Sequence, residues 1–131
     1  MNAPTLSEFQ SQVSELLLRH RSLLDVVTKY SQSNASVNRS VTKSITECGC
    51  IALNARNQGF SEGMKLDQAN RQSKSHMEGA LCENCREAIR GEMGKNLFYL
   101  SAMCNLLDIS LQDVVAKEAD KCSTLGWFNL T

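Results

Sequence analysis

The chain has 131 residues, which suffices for one domain with a buried core, and we expect a single domain over residues 1–131. Its 14 basic and 14 acidic residues cancel, so no net field draws it to nucleic acid or to an anionic membrane surface. The N-terminal residues are polar and no apolar run is long enough to span a bilayer, which predicts a soluble, cytoplasmic chain.

The sequence predicts an all-α fold. It contains one proline, and no segment alternates apolar and polar residues over the length of a strand. Thr5 and Glu8 form a capping box at the start of the first predicted helix, whose apolar stripe fades in "SQSNAS". We place this helix at about residues 5–31.

Three further helices are predicted. The second follows an apolar stripe from Val37 to Ala55 and stops at Gly59. A polar loop over residues 57–78, with room for a short helix, separates it from the central helix at about residues 80–107. Ser110 then caps a last helix that ends near Cys122. The expected architecture is a four- to five-helix bundle with a long polar loop between the second and central helices.

Four of the six cysteines occur in two close pairs, Cys48-x-Cys50 and Cys82-x-x-Cys85. In a reducing compartment, paired thiols are typical of metal-binding or redox-active sites. Three interpretations follow: a thiolate Zn²⁺ site with His76 as a substitute ligand, a dithiol or disulfide pair, and the packing of small apolar side chains. Cys104 and Cys122 lie singly on apolar stripes, and we expect both in the core.

Residues 91–121, "GEMGKNLFYLSAMCNLLDISLQDVVAKEADK", resemble the MazG-like branch of the all-α nucleoside triphosphate pyrophosphohydrolases. The resemblance implies a helical fold in which Glu-Glu-x-x-Glu on one helix and Glu-Glu-x-x-Asp on the next hold Mg²⁺ ions that grip a triphosphate. Carboxylates three or four residues apart share one helix face, and Mg²⁺ prefers such hard oxygen ligands.

Only part of that acidic set matches. The resemblance assigns Glu47, in "TECGC", to the first motif and Glu92, in "GEMGK", to the second, while Lys95 replaces an acid. A fixed ammonium repels a divalent cation, so Mg²⁺ is not expected as a cofactor and two-metal hydrolysis is disfavoured. Lys95 is also a candidate phosphate ligand, as are Lys117 and Lys121, which lie where the family keeps basic residues near the nucleotide.

The same alignment bears on the cysteine pairs. If the acidic motifs faced each other, Cys50 would lie level with Glu92, and Cys85, seven residues before Glu92, would be about 10 Å away along the helix, so the four thiols would not converge. Either the central helix begins late, with "LCENC" as a loop, or the pairs act separately. Cys48 and Cys50 point about 200° apart on a helix, so both reach one ion only if the helix breaks at Gly49.

Two classes of function follow. The first is a MazG-like helical protein with a Zn²⁺ site, held by Cys48, Cys50, Cys82 and Cys85, that binds a nucleotide or a partner without efficient hydrolysis. The second is an active pyrophosphohydrolase whose missing ligands come from elsewhere, such as the acids of the first helix, Glu78, Glu83 or Glu87. A thiol-based redox regulator is a further alternative.

The chain has more large apolar residues than one small helical core can bury, which predicts a homodimer. Leu16, Leu17 and Leu18 are consecutive and cannot all face one core, because neighbours on a helix diverge by about 100°. The tail adds Trp127 and Phe128. We expect the first helix or the tail to bury an interface above about 1,000 Å².

Overall fold

The computed structural model describes residues 2–17, 22–57, 63, 65 and 75–125, and within them the chain is mainly helical. In chain order the helices are α1 (Leu6–Leu16), α2 (Leu23–Lys43), α3 (Glu83–Leu106) and α4 (Leu111–Leu125). A π-helical turn, Ser44–Cys48, continues α2. Two short strands, β1 (Ile51–Leu53) and β2 (Met77–Gly79), pair antiparallel. The predicted helical class is confirmed, and its packing as a MazG-like bundle stays a prediction.

The chain divides into two compact units. One contains Met1–Val37 and Glu92–Thr131, and we call it the helical unit; the other is Asn38–Gly91, which we call the cysteine unit. The helical unit has a core of Val13, Leu17, Val26 and Ala102, against which Phe9, Phe98 and Met103 pack. Val13 and Leu17 belong to the predicted apolar stripe of the first helix, whereas Leu24 and Val27, predicted on the same stripe, are exposed and Val26 is buried in their place.

One glutamine joins α1 to the turn that precedes α4. The Gln10 side chain donates to the Ile109 carbonyl at 2.8 Å and accepts from the Leu111 backbone N–H at 2.9 Å. The Gln10 carbonyl also accepts from the Asn105 side chain at 3.1 Å. These bonds satisfy backbone groups at a helix start that would otherwise lack partners.

The cysteine unit contains the end of α2, the π-helical turn, both strands and the first turns of α3. The strand register pairs Ile51 with Gly79 and Leu53 with Met77. Ile51, Ile89 and Ser44 are its buried residues within the described part of the chain. Few apolar side chains are therefore buried there, and hydrophobic burial stabilises this unit only weakly.

The predicted boundary between the first two helices is wrong. The first helix ends at Leu16 instead of near residue 31, and α2 runs without a break through "SQSNAS". Polar residues continue the helix because Ser33 is small enough to be buried, while Thr28 bonds to the Leu24 carbonyl at 2.9 Å. Such a bond gives the Thr28 hydroxyl a partner within the helix.

The predicted end of the second helix is also wrong. The helical segment stops at Cys48 because Gly49 takes a left-handed conformation with φ of 78°, and Ile51–Leu53, which the periodicity predicts as helical, form β1. Most of the predicted polar loop lies outside the described residues, and its last part forms β2. The starts of α1, α3 and α4 lie close to their predicted positions.

No helix in the described part of the chain combines the length and the apolarity required to cross a bilayer.

Candidate metal centre

Four cysteine thiols come together in the cysteine unit. The Sγ atoms of Cys48, Cys50, Cys82 and Cys85 all lie within 4.8 Å of one another. Cys48 ends the π-helical turn and Cys50 directly precedes β1, whereas Cys82 precedes α3 and Cys85 lies in its first turn. The thiols of both cysteine pairs therefore converge on one point, although the four residues belong to different parts of the backbone.

A local break in the helix makes this convergence possible. The Gly49 N–H donates to the Ser44 carbonyl at 2.9 Å and closes the π-helical turn, and the left-handed Gly49 then redirects the chain. Cys50 therefore does not continue the helix, and its Sγ lies 3.7 Å from the Ser44 carbonyl oxygen. Because the helix α3 begins at Glu83, Cys82 lies outside it and Cys85 in its first turn, so the predicted loop over "LCENC" is limited to Leu81 and Cys82.

The strand pair places the second pair of cysteines beside the first. Pairing of Ile51 with Gly79 brings the residue before β1 close to the residues that follow β2. A Cβ atom at position 79 would lie 2.5 Å from the Cys50 carbonyl oxygen, so the two backbones approach as closely as they do only because that residue is glycine.

The sulfur spacing fits a tetrahedral metal ion. Sγ of Cys48 lies 3.8 Å from Sγ of Cys82. Four thiolates bound to Zn²⁺ at about 2.3 Å in tetrahedral geometry hold their sulfur atoms about 3.8 Å apart. A disulfide requires about 2.05 Å. All six cysteines are free thiols in this structure.

The thiols of Cys82 and Cys85 differ in their affinity for protons. The Cys85 backbone N–H donates to Sγ of Cys82 at 3.4 Å and lowers the pKa of Cys82 to about 7. The neighbouring Cys82 sulfur and burial raise the pKa of Cys85 to about 12. Without a cation the cluster therefore retains protons at neutral pH, and a bound divalent metal would displace them.

The remaining predicted thiol and imidazole residues lie elsewhere. Cys104 is buried, as expected, with burial raising its pKa, whereas Cys122 is exposed on α4 and its predicted place in the core is wrong. Within the described residues, His76 is not part of the thiol cluster. It has a positive φ of 61° and lines an open cleft with Asn54 and Arg56.

The predicted acidic and basic site residues occupy three places. Glu47 is exposed in the π-helical turn of the cysteine unit. Glu92 and Lys95 belong to the helical unit, with Lys95 Nζ 3.8 Å from a Glu92 carboxylate oxygen. Lys117 and Lys121 are exposed on α4, and Lys121 lies 4.0 Å from Glu118.

Glu92 and Lys95 line a cleft of about 200 Å³ in the helical unit, together with Tyr99 of α3 and four residues of α2: Lys29, Gln32, Ser33 and Ser36. These four residues of α2 are not among the predicted site residues. A polar "KYSQSNAS" segment inside a helical pattern is the signal that could have indicated them, because small polar side chains leave room between helices. Glu92 is the one carboxylate in this lining.

Comparisons with models of protein families, with curated proteins and with solved structures give no match to this chain. The resemblance to the pyrophosphohydrolases therefore depends on the sequence motifs alone.

Proposed function

We propose that this protein is a zinc protein in which Cys48, Cys50, Cys82 and Cys85 bind one Zn²⁺ as thiolates. The observation that supports this most directly is the convergence of the four Sγ atoms within 4.8 Å. Thiolates select soft or borderline metals, and four cysteines are a common ligand set for structural Zn²⁺.

The ligand count assigns the ion a structural role. Four protein ligands fill a tetrahedral shell and leave no position for water or substrate, whereas catalytic zinc sites keep one position open. The ion would tie the end of the π-helical turn to the start of α3, across a unit with few buried apolar residues. Metal binding of this kind contributes folding free energy directly.

Elemental analysis tests the proposal. Protein purified under reducing conditions without chelator should carry about one Zn²⁺ per chain. Cys50→Ser should lower the zinc content at least about tenfold, because three thiolates and a hydroxyl bind Zn²⁺ less tightly. Cys122→Ser is the matched control and should keep the full content, because that thiol is outside the cluster. Less than about a tenth of an equivalent in the parent chain, with native helicity in strong chelator, would exclude the proposal.

A second function is supported by the cleft in the helical unit. We propose that it binds the phosphates of a nucleotide without efficient hydrolysis, in line with the MazG-like motif at residues 91–121. Lys29 and Lys95 bring two positive charges to the lining and Glu92 one negative charge. Ammonium groups bind phosphate oxygens directly. Mg²⁺ sites for phosphoryl chemistry use several carboxylates, and one is too few.

Calorimetric titration with ATP tests this binding. Lys95→Gln should weaken it at least about fivefold, the loss of about 1 kcal/mol expected for one charged contact. Lys43→Gln, an exposed lysine at the end of α2 in the cysteine unit, is the control and should bind as the parent does. Equal affinity in all three proteins would reject the cleft as the site, and Lys117→Gln and Lys121→Gln would then test α4.

Hydrolysis is tested separately. Pyrophosphate release from nucleoside triphosphates with Mg²⁺ should be absent or very slow, because the cleft has one carboxylate. Robust release that disappears in Glu92→Gln or Glu47→Gln would instead establish an active pyrophosphohydrolase.

We propose further that two chains associate through the helical unit. Leu16 is 69% exposed and Leu24 is 80% exposed, which is unusual for leucines flanking a core. The predicted contribution of Trp127 and Phe128 falls outside the described residues. Sedimentation at tens of micromolar should give a dimer that Leu24→Glu dissociates. Leu53→Glu, at a leucine 64% exposed in the cysteine unit, should leave the dimer intact. A monomeric parent chain would exclude this association.

A further inference from the structure

The thiol cluster is accessible and its two halves come from distant parts of the chain. Cys48 is exposed, and Cys50, Cys82 and Cys85 are half-buried. Cys48 and Cys82 are 34 positions apart in sequence, yet their Sγ atoms lie 3.8 Å apart. An oxidant in solvent can therefore reach one thiolate, and a second thiolate from the other pair is close enough to react with the product.

We propose that peroxides convert this zinc site into a Cys48–Cys82 disulfide and release the ion, so that the site reports oxidation through its metal content. The proposal rests on the zinc site proposed above. Cys48 is the thiolate that the oxidant meets first because it is the exposed member of the cluster. Cys82 is the resolving thiolate because its sulfur lies within a short displacement of the Cys48 sulfur.

The chemistry balances with hydrogen peroxide as the two-electron oxidant. The Cys48 thiolate attacks the O–O bond, becomes a sulfenic acid and releases hydroxide, which takes one proton to form water. The Cys82 thiolate then attacks the sulfenic sulfur, forms the S–S bond and displaces a second hydroxide, which takes another proton. Two thiolates lose two electrons in all, and the peroxide gains them. Zn²⁺ leaves because only Cys50 and Cys85 remain as ligands.

The position of this disulfide matters for what happens to the fold. A Cys48–Cys82 bond joins the end of the π-helical turn to the residue before α3, the same two places that the metal joins. A Cys82–Cys85 bond would stay within one pair and leave the other pair untethered. Oxidation along the proposed route thus removes the ion while it keeps the covalent path between α2 and α3 short.

Peptide mapping distinguishes these outcomes, because trypsin places each pair on its own peptide. Cleavage after Lys43 and Arg56 yields residues 44–56, with Cys48 and Cys50, and cleavage after Lys74 and Arg86 yields residues 75–86, with Cys82 and Cys85. A Cys48–Cys82 bond links the two peptides, whereas a Cys82–Cys85 bond leaves them separate. Fragmentation at Gly49 and between Cys82 and Cys85 identifies the sulfur atoms that are joined.

The experiment uses zinc-loaded Cys122→Ser protein, in which the exposed thiol of α4 cannot cross-link two chains. Zinc content is measured first, and its absence would contradict the metal centre itself before any oxidant is added. Hydrogen peroxide is then titrated with a chromogenic zinc indicator. We expect release of about one Zn²⁺ per chain together with the linked peptides, and recovery of zinc binding after dithiothreitol and fresh Zn²⁺.

Two results would overturn the proposal although the protein binds zinc. One is retention of zinc in excess peroxide. The other is release without the cross-link between the two peptides, with a Cys82–Cys85 disulfide or with sulfinic acids in its place. Neither depends on a variant that could fail to fold, because the mapping is done with all four ligands present.

Discussion

Cys82 and Cys85 lie three positions apart, yet their thiols differ strongly in how readily they lose a proton. A hydrogen bond from the Cys85 backbone N–H lowers the pKa of Cys82 to about 7. The neighbouring Cys82 sulfur raises the pKa of Cys85 to about 12. The first ionisation of the cluster is therefore easy, and each further negative charge is harder to create beside it. A divalent cation offsets this repulsion.

The first prediction is that zinc affinity rises with pH. The zinc-bound site holds no thiol protons, whereas the metal-free site keeps the Cys85 proton at every pH below about 12 and takes up a Cys82 proton below about 7. Binding thus releases protons, and affinity should increase at least about tenfold per pH unit between about pH 6 and 8. Competition with a chelator, corrected for the chelator's own protonation, measures this. A flat profile would show that the thiols are already ionised.

At the scale of the elements, two glycines shape the site for different reasons. Gly49 and Gly79 both have positive φ, of 78° and 86°, a conformation that side chains with a Cβ adopt at a cost. Nothing lies within 4 Å of a Cβ placed at Gly49, whereas one at Gly79 would meet the Cys50 carbonyl oxygen at 2.5 Å. Alanine at position 49 would therefore introduce backbone strain alone, whereas alanine at position 79 would introduce both backbone strain and a steric clash.

The second prediction compares alanine at these two positions. Gly49→Ala should destabilise the zinc-loaded protein by about 1 kcal/mol, the cost of the left-handed conformation alone. Gly79→Ala should cost at least about twice as much, because Cys50 must move, and it should also weaken zinc binding. Chemical denaturation and chelator competition on both variants measure these effects. Equal losses would mean that the contact between position 79 and Cys50 relaxes freely.

Helix starts were predictable from the sequence because their signals are local. Thr5 accepts from the Glu8 N–H at 3.1 Å and Ser110 accepts from the Asp113 N–H at 3.3 Å, bonds that each need only four consecutive residues. The continuation of α2 through Ser33 depends on the burial of that side chain, which periodicity does not contain. The strands were missed because each has three residues, too few for an alternating pattern.

The ligand residues of the candidate site were predictable from their spacing, and their convergence was predicted only on condition that the helix breaks at Gly49 and the central helix begins late. The distance of about 10 Å expected between the pairs assumed that Glu47 and Glu92 face each other on continuous helices. The π-helical turn, Gly49 and the strand pair remove that assumption; the first two are local, and the strand pair depends on contacts between residues far apart in sequence. The cleft around Lys29 was missed because residues of α2 and α3 that meet there are far apart in sequence.

On the scale of the whole molecule, the two units differ in what holds them together. The helical unit has a cluster of buried apolar residues around Val13, Leu17 and Val26. In the cysteine unit, Ile51 and Ile89 are the buried large apolar residues within the described part of the chain. The proposed ion replaces a core there, as metals do in small domains that bury little surface.

The third prediction is that removal of the metal affects the units unequally. In strong chelator, amide exchange in β1 and β2 should accelerate at least about tenfold, because opening of this unit no longer has to break metal bonds. Amides of α1 around Val13 should keep their protection, because their stability comes from apolar packing. Hydrogen exchange followed by mass spectrometry measures both regions in one sample. Uniform acceleration, or none, would refute a metal role confined to the cysteine unit.

The antiparallel pairing of β1 and β2 determines where a further sequence can be inserted into this protein. The Asn54 N–H donates to the His76 carbonyl at 2.8 Å, and the Asn54 side chain donates to Glu78 at 3.0 Å. The ends of the intervening segment are therefore fastened to each other at the end of the strand pair that is farther from Cys50. Doubling the number of residues in a flexible connection costs only about 0.6 kcal/mol. A reporter domain inserted between Asn54 and His76 should therefore leave the sulfur atoms in place, because the insertion starts and ends at the end of the strand pair that is farther from them.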